Sequence, residues 1–204
     1  MEENDIEGTI DYKGQSQMYF EGASAMTSVF ILAITITFLV LAAQFESFVH
    51  PLIIMLTVPL GLVGALSGLF FSDSSLNIYS QIGIVMLIGL SAKNGILIVE
   101  FANQLRDRGM DFNDALIKAA KQRLRPIVMT SLTTIMSAIP LVFASGPGFE
   151  SRMVIGIVIF TGVLVATILT LFVVPCAYAM LARNTHSPEY TEQKIKQQAD
   201  ELNK

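Results

Sequence analysis

The chain has 204 residues, 52% of them hydrophobic and only 15% charged, with a mean hydropathy of +0.58. That balance is too apolar for an ordinary soluble domain of this length. A formal net charge of −4 offers no footing for nucleic acid. The sequence also lacks a Cys/His cluster, a Walker loop and a G-x-S-x-G motif, so it points to no metal, no cofactor and no hydrolase.

Residues 1–22 are acidic and polar and do not read as a cleavable signal peptide. Beyond them, five segments meet the length of a membrane span, about 20 apolar residues at about 1.5 Å each. The first covers 23–45, where no charge occurs between Glu21 and Glu46, and the second covers 52–71. In the second, Gly61, Gly64 and Gly68 fall on one side, and Gly64-x-x-x-Gly68 permits close helix contact. Pro59 there, and Pro175 in the last span, predict kinks. The third span runs over 78–102 and contains Lys93. In the polar loop that follows, Phe112, Ala115, Leu116 and Ala119 recur at helical spacing behind Asp111, a good N-cap. The pattern predicts a short helix over 111–122 on the membrane surface. The fourth span covers 125–145 and the fifth 153–182, leaving a polar tail at 184–204. The predicted fold is an all-α membrane protein, a bundle of five transmembrane helices.

Lysine and arginine in the flanks predict its orientation. Six lie in the loop 102–125 and four in the tail 183–204, against only Lys13 and Arg152 on the other side. The positive-inside rule then sets the N-terminus outside and the C-terminus in the cytoplasm.

Lys93 is the anomaly. It lies about 12 Å inside the end of its span if that end is Phe101, where an uncompensated charge costs about 3 kcal/mol or more. Its ammonium either snorkels to the interface or faces the bundle interior with a carboxylate partner. Glu100 shares its face but lies about 10.5 Å away along the axis, too far for a direct pair. Either Lys93 is uncharged or its carboxylate partner lies on polypeptide outside this sequence. The fourth span adds Thr130, Thr134 and Ser137 on one helical face. Thr134 and Ser137 are expected to bond carbonyls of their own helix, whereas Thr130 sits at a depth comparable to Lys93. Arg123 lies just before that face, suited to a headgroup or to a water path.

"QFESFVHPLIIMLTVPLGLVGAL", "IGLSAKNGILIVEFA" and "RLRPIVMTSLTTIMSAIPL" resemble the second half of resistance-nodulation-division efflux pumps of the Acr type, over about residues 14–183. The resemblance implies spans eight to twelve of a twelve-span domain, with residues 1–22 a remnant of the periplasmic porter domain and its linker. It further implies a proton relay of Lys93, Thr130 and, more weakly, Arg123, the lysine pairing with two aspartates carried by the N-terminal half of the pump. The implied function is drug:proton antiport across the bacterial inner membrane, exporting hydrophobic or amphiphilic compounds. The implied partners are two further copies in a homotrimer, a periplasmic adaptor protein, an outer-membrane channel and the lipid bilayer. Transport of another cargo, such as a metal or a lipid, or a truncated, non-transporting membrane scaffold, would also fit these motifs.

Overall fold

In hydrocarbon every backbone N–H and C=O has to be bonded within the protein, which favours unbroken helices. The computed structural model describes residues 15–182, with side chains from Met26 onward, and contains helices and no strands among them. The elements are α1 (Gln15–Phe45), α2 (Val49–Met55), α3 (Thr57–Phe71), α4 (Ile78–Asp107), α5 (Phe112–Val142) and α6 (Phe149–Leu181). Within the described residues five stretches are long and apolar enough to cross a membrane: Met26–Phe45, Val49–Phe71, Ile78–Asp107, Phe112–Val142 and Phe149–Leu181. The five-span, all-α reading is therefore observed.

Several boundaries differ from those read in the sequence. Helix α1 begins at Gln15, so 15–22, read as linker, is helical; the stretch contains no proline, and extending an existing helix is cheap. The second span is two helices that meet at Leu56. Pro59 explains the break, because it cannot donate to the Met55 carbonyl and its ring crowds that oxygen. Thr57 Oγ1 instead donates to the Ile54 carbonyl at 2.7 Å. Helix α4 opens on a capping box, in which the Ser80 amide donates to Asn77 Oδ1 at 2.9 Å and the Asn77 amide to Ser80 Oγ at 2.8 Å. It then continues five residues past the expected end at 102.

The surface helix over 111–122 requires correction. It is the first third of α5, which runs unbroken through Pro126 into the fourth span. Asp111 does cap it, accepting from the Asn113 amide at 3.2 Å. The apolar stripe faces protein, since Ala115 and Ala119 are fully buried in a cluster with Ala102 and Leu105 of α4 and Tyr178 of α6. Periodicity gives the face of a helix that is buried, and says nothing about what buries it. Residues 1–14 and the tail 184–204 lie outside the described residues.

Helix α6 forms the centre of the bundle, packing on α3, α4 and α5, whereas α1 touches α2 and α4. Ile31, Leu32, Ile36, Leu39 and Val40 of α1 are exposed, apolar surface suited to lipid or to further polypeptide. The α3–α6 contact is a backbone approach. A Cβ on Gly64 would sit 2.7 Å from Val165 Cβ and 2.9 Å from the Thr161 carbonyl. Gly68 meets the Thr161 side chain even more closely, and Gly61 instead faces Ser91 and Leu87 of α4. Glycine is what these crossings require.

The end bearing the α4–α5 loop is tied by polar bonds. Tyr178 Oη donates to Asn103 Oδ1 at 2.5 Å and accepts from Arg106 Nη1 at 3.0 Å. Arg106 also reaches the carbonyl of Ala182 at 3.4 Å, at the C-terminus of α6 where a cation is favoured. Phe112 stacks on the Tyr178 ring with centroids 5.7 Å apart.

Two outcomes are expected from thermal unfolding of the purified chain in detergent, followed by circular dichroism. Gly64→Val should destabilise by about 1–3 kcal/mol through overpacking. Gly89→Ala, with nothing within 4 Å of the new methyl, should hold or gain up to about 1 kcal/mol from helix propensity. A Gly64→Val chain that melts no lower than the parent would contradict the close crossing.

Candidate functional site

Consecutive residues on a helix point about 100° apart, so the doublets Lys93-Asn94 and Thr130-Ser131 each present one side chain inward and one to the side. Asn94, Ser131 and Thr167 are the inward members, only 5%, 5% and 7% exposed. Asn94 Nδ2 donates to Ser131 Oγ and to Thr167 Oγ1, both at 3.3 Å. Thr167 Oγ1 lies 2.8 Å from Ser131 Oγ and 2.7 Å from the Val163 carbonyl, and shares its one proton between them. The triangle joins α4, α5 and α6 at one level.

Lys93 and Thr130 are the sideways members. They line a cleft of about 20 Å³ between α4 and α5 together with Asn94, Ser131 and Thr134, room for roughly one water. Lys93 is exposed and Thr130 half-buried. Thr130 Oγ1 donates to the Ile127 carbonyl at 3.2 Å. Thr134 and Ser137 bond the carbonyls of Thr130 and Thr134 at 2.9 and 2.7 Å, the local satisfaction expected of them. No carboxylate pairs with Lys93 among the described residues; Glu100 accepts from Gln104 Nε2 at 3.5 Å.

Arg123 stands apart from this cleft. Its guanidinium lies 4.3 Å above the Phe101 ring, and its buried Nε has no hydrogen-bond partner among the described residues. Seven residues separate it from Thr130, about 10.5 Å along α5. The structure brings together two of the three residues singled out in the sequence, Lys93 and Thr130, and holds the third on an aromatic face two turns away. The sequence reading passed over Asn94, Ser131 and Thr167. The signal for them was a polar doublet at matching depth in two spans and a threonine at that level in a third.

Residues 6–182 match the AcrB/AcrD/AcrF family. The chain belongs to that family. It is 44% identical over 187 residues to an uncharacterized transporter of Haemophilus influenzae, covering 88% of this chain and 18% of that protein. It is 43% identical over 173 residues to the toluene efflux pump membrane transporter TtgB of Pseudomonas putida, covering 85% of this chain and 16% of the relative. The multidrug/solvent efflux pump membrane transporter MepB of Pseudomonas putida matches with the same figures. The chain thus spans about a sixth of the length of these relatives. Two of these relatives are named efflux pump membrane transporters, and this chain is a multi-pass membrane part of that resistance-nodulation-division architecture.

The division between doublet members predicts a division in stability. Lys93→Ala should leave unfolding of the isolated chain within about 0.5 kcal/mol of the parent, as expected of an unpaired exposed side chain. Asn94→Ala should lose about 1–2 kcal/mol, because two interhelical bonds disappear. Melts in detergent check both, and equal losses would refute the assignment of inward and sideward roles.

Proposed function

We propose that this polypeptide is part of a proton-driven efflux transporter that exchanges protons for hydrophobic or amphiphilic compounds across the bacterial inner membrane. The observation that carries the reading is Lys93, a cation at the middle of α4 that opens with Thr130 onto a polar cleft and has no carboxylate partner among the described residues. A cation at that depth needs a counter-charge to be retained. The resemblance supplies one, an aspartate pair on the N-terminal half of the pump. With the carboxylates ionised, Lys93 holds them by charge-assisted bonds. Once they take up protons that attraction is lost, and the two halves are free to change their relative position. Each charge that crosses the membrane is worth about 2.3 kcal/mol per 100 mV, the free energy available for export.

Thr130 provides a hydroxyl beside the ammonium that can both give and accept a bond as charges come and go. Arg123 belongs to the path toward the cytoplasmic surface, its charge placed on the Phe101 face rather than in the cleft. Toluene, solvents and antibiotics, named for the relatives, are the cargo class. The working assembly is a homotrimer with a periplasmic adaptor protein and an outer-membrane channel. The lysine and arginine count puts the α4–α5 loop in the cytoplasm and the N-terminus in the periplasm.

Resistance assays on the complete transporter carrying this segment test the relay. Lys93→Ala should abolish resistance at normal membrane levels, and Lys93→Arg should also be poor, since a planar guanidinium does not replace a compact ammonium between two carboxylates. Thr130→Ala should be strongly impaired and Thr134→Ala much less so. Full resistance in the Lys93→Ala pump would sink the reading. For topology, reporter fusions after Ser74 and Gly148 should give periplasmic signals and a fusion after Arg108 a cytoplasmic one; a cytoplasmic signal at Gly148 would reverse the orientation.

A further inference from the structure

We infer that Asn94, Ser131 and Thr167 are positioning residues for transport: their hydrogen-bonded triangle sets the α4–α5 gap in which Lys93 and Thr130 operate. The inference rests on the proposed role of Lys93 and Thr130 and goes beyond it, because none of the three side chains need ever carry a proton or touch cargo.

The geometry leads there in three steps. Asn94 follows Lys93 directly and Ser131 follows Thr130 directly, so a shift of either triangle member carries its neighbour with it through rigid helical backbone. The bonds between the triangle members cross from α4 to α5 and α6, and α6 is in turn fixed to α3 by the glycine crossing. The cleft is therefore referenced to the most closely packed part of the bundle. Asn94 and Ser131 also form part of the wall of the cleft itself, where Lys93 is the only titratable lining residue. Asn94 uses its amide N–H groups on the two hydroxyls, so its carbonyl oxygen is not spent within the triangle.

A clamp of this kind has a particular chemical character. All three groups are neutral over the whole range in which carboxylates titrate, so the clamp keeps its length while the charges beside it change. An apolar contact at the same place would hold the helices as close, whereas directional bonds add a further constraint on their rotation and register. Losing part of the triangle should therefore affect coupling more than cargo recognition.

The test uses the complete transporter in proteoliposomes, with an imposed pH gradient and efflux of a fluorescent amphiphilic dye, and rates normalised to folded protein. Thr167→Val, Ser131→Ala and Asn94→Leu remove members of the triangle. Each should lower the maximal rate about threefold to tenfold, the worth of roughly one hydrogen bond. The dye KM should stay within about twofold, and a larger gradient should be needed for half-maximal rate. Thr167→Ser and Ser131→Thr keep the hydroxyls and should restore both rate and gradient dependence. If Asn94→Leu does not fold, the volume-matched Thr167→Val decides. Node variants that lose rate with an unmoved gradient dependence would show a purely structural role and overturn the inference, as would variants that run at the parental rate. Lys93→Ala is measured in parallel: if it transports normally the underlying relay reading fails, whereas an inactive Lys93→Ala beside fully active node variants removes the positioning role alone.

Discussion

The fold depends on how closely α3 approaches α6. Between helices in lipid there is no hydrophobic driving force, because lipid tails are as apolar as leucine, and association rests on packing and on bonds between helices. Gly64 and Gly68 allow the α3 backbone to reach Thr161 and Gly162 of α6, so dispersion contacts and backbone dipoles act at short range. With α6 held in that way, α4 and α5 pack against its remaining faces. The polar triangle and the cleft beside it then follow from which residues those faces present. A wider α3–α6 crossing would leave α6 free to rotate, and Thr167 would no longer be aimed between Asn94 and Ser131.

Much of the fold was legible in the sequence for a simple reason. The bilayer imposes a length and a polarity on each span, and both are written locally in the chain. The five spans and the cap at Asp111 came from such local signals. The break at Leu56, the extension of α4 to Asp107 and the fusion of the 111–122 helix with the fourth span did not. Helix continuation through Arg123–Pro126 depends on tertiary contacts, as buried Ala115 and Ala119 anchor the first third of α5 against α4 and α6. Proline at position 126 forfeits one bond without ending the helix, whose buried anchors lie on either side of it at Ala119 and Ile127. Leu56 differs in that the buried turn preceding Pro59 adds a side-chain bond, from the Thr57 hydroxyl to the Ile54 carbonyl.

The candidate site was half legible. A lysine in an apolar run stands out against its neighbours because its energetic penalty is large. Asparagine, serine and threonine carry no such mark, since each is common in membrane helices and each can satisfy itself within its own turn, as Thr134 and Ser137 do. Only the packing separates Ser131, bonded across helices, from Ser137, bonded to its own. Arg123 shows the reverse case. Its charge drew attention to it, yet its partner is the face of Phe101, an interaction that no spacing rule in one helix can supply.

If Lys93 has the proposed role, the pairing of a sideways charged residue with an inward neutral one would resolve a conflict that any proton-coupled membrane helix faces. A group that is to gain and lose an electrostatic partner should be weakly held by its own bundle, or the change in charge would be absorbed locally. The helix bearing it has to be firmly held, or the change would melt the site instead of moving a domain. Lys93 is exposed on its bundle and unpaired there among the described residues, whereas Asn94 is buried and bonded twice. One step along α4, about 100° of rotation, separates the two requirements. Thr130 and Ser131 repeat the arrangement on α5, so each wall of the cleft pairs a more exposed residue with a buried, cross-bonded one. On the proposed relay, a rearrangement driven at Lys93 would be transmitted to α4 and α5 as units, with the neutral triangle keeping their mutual spacing.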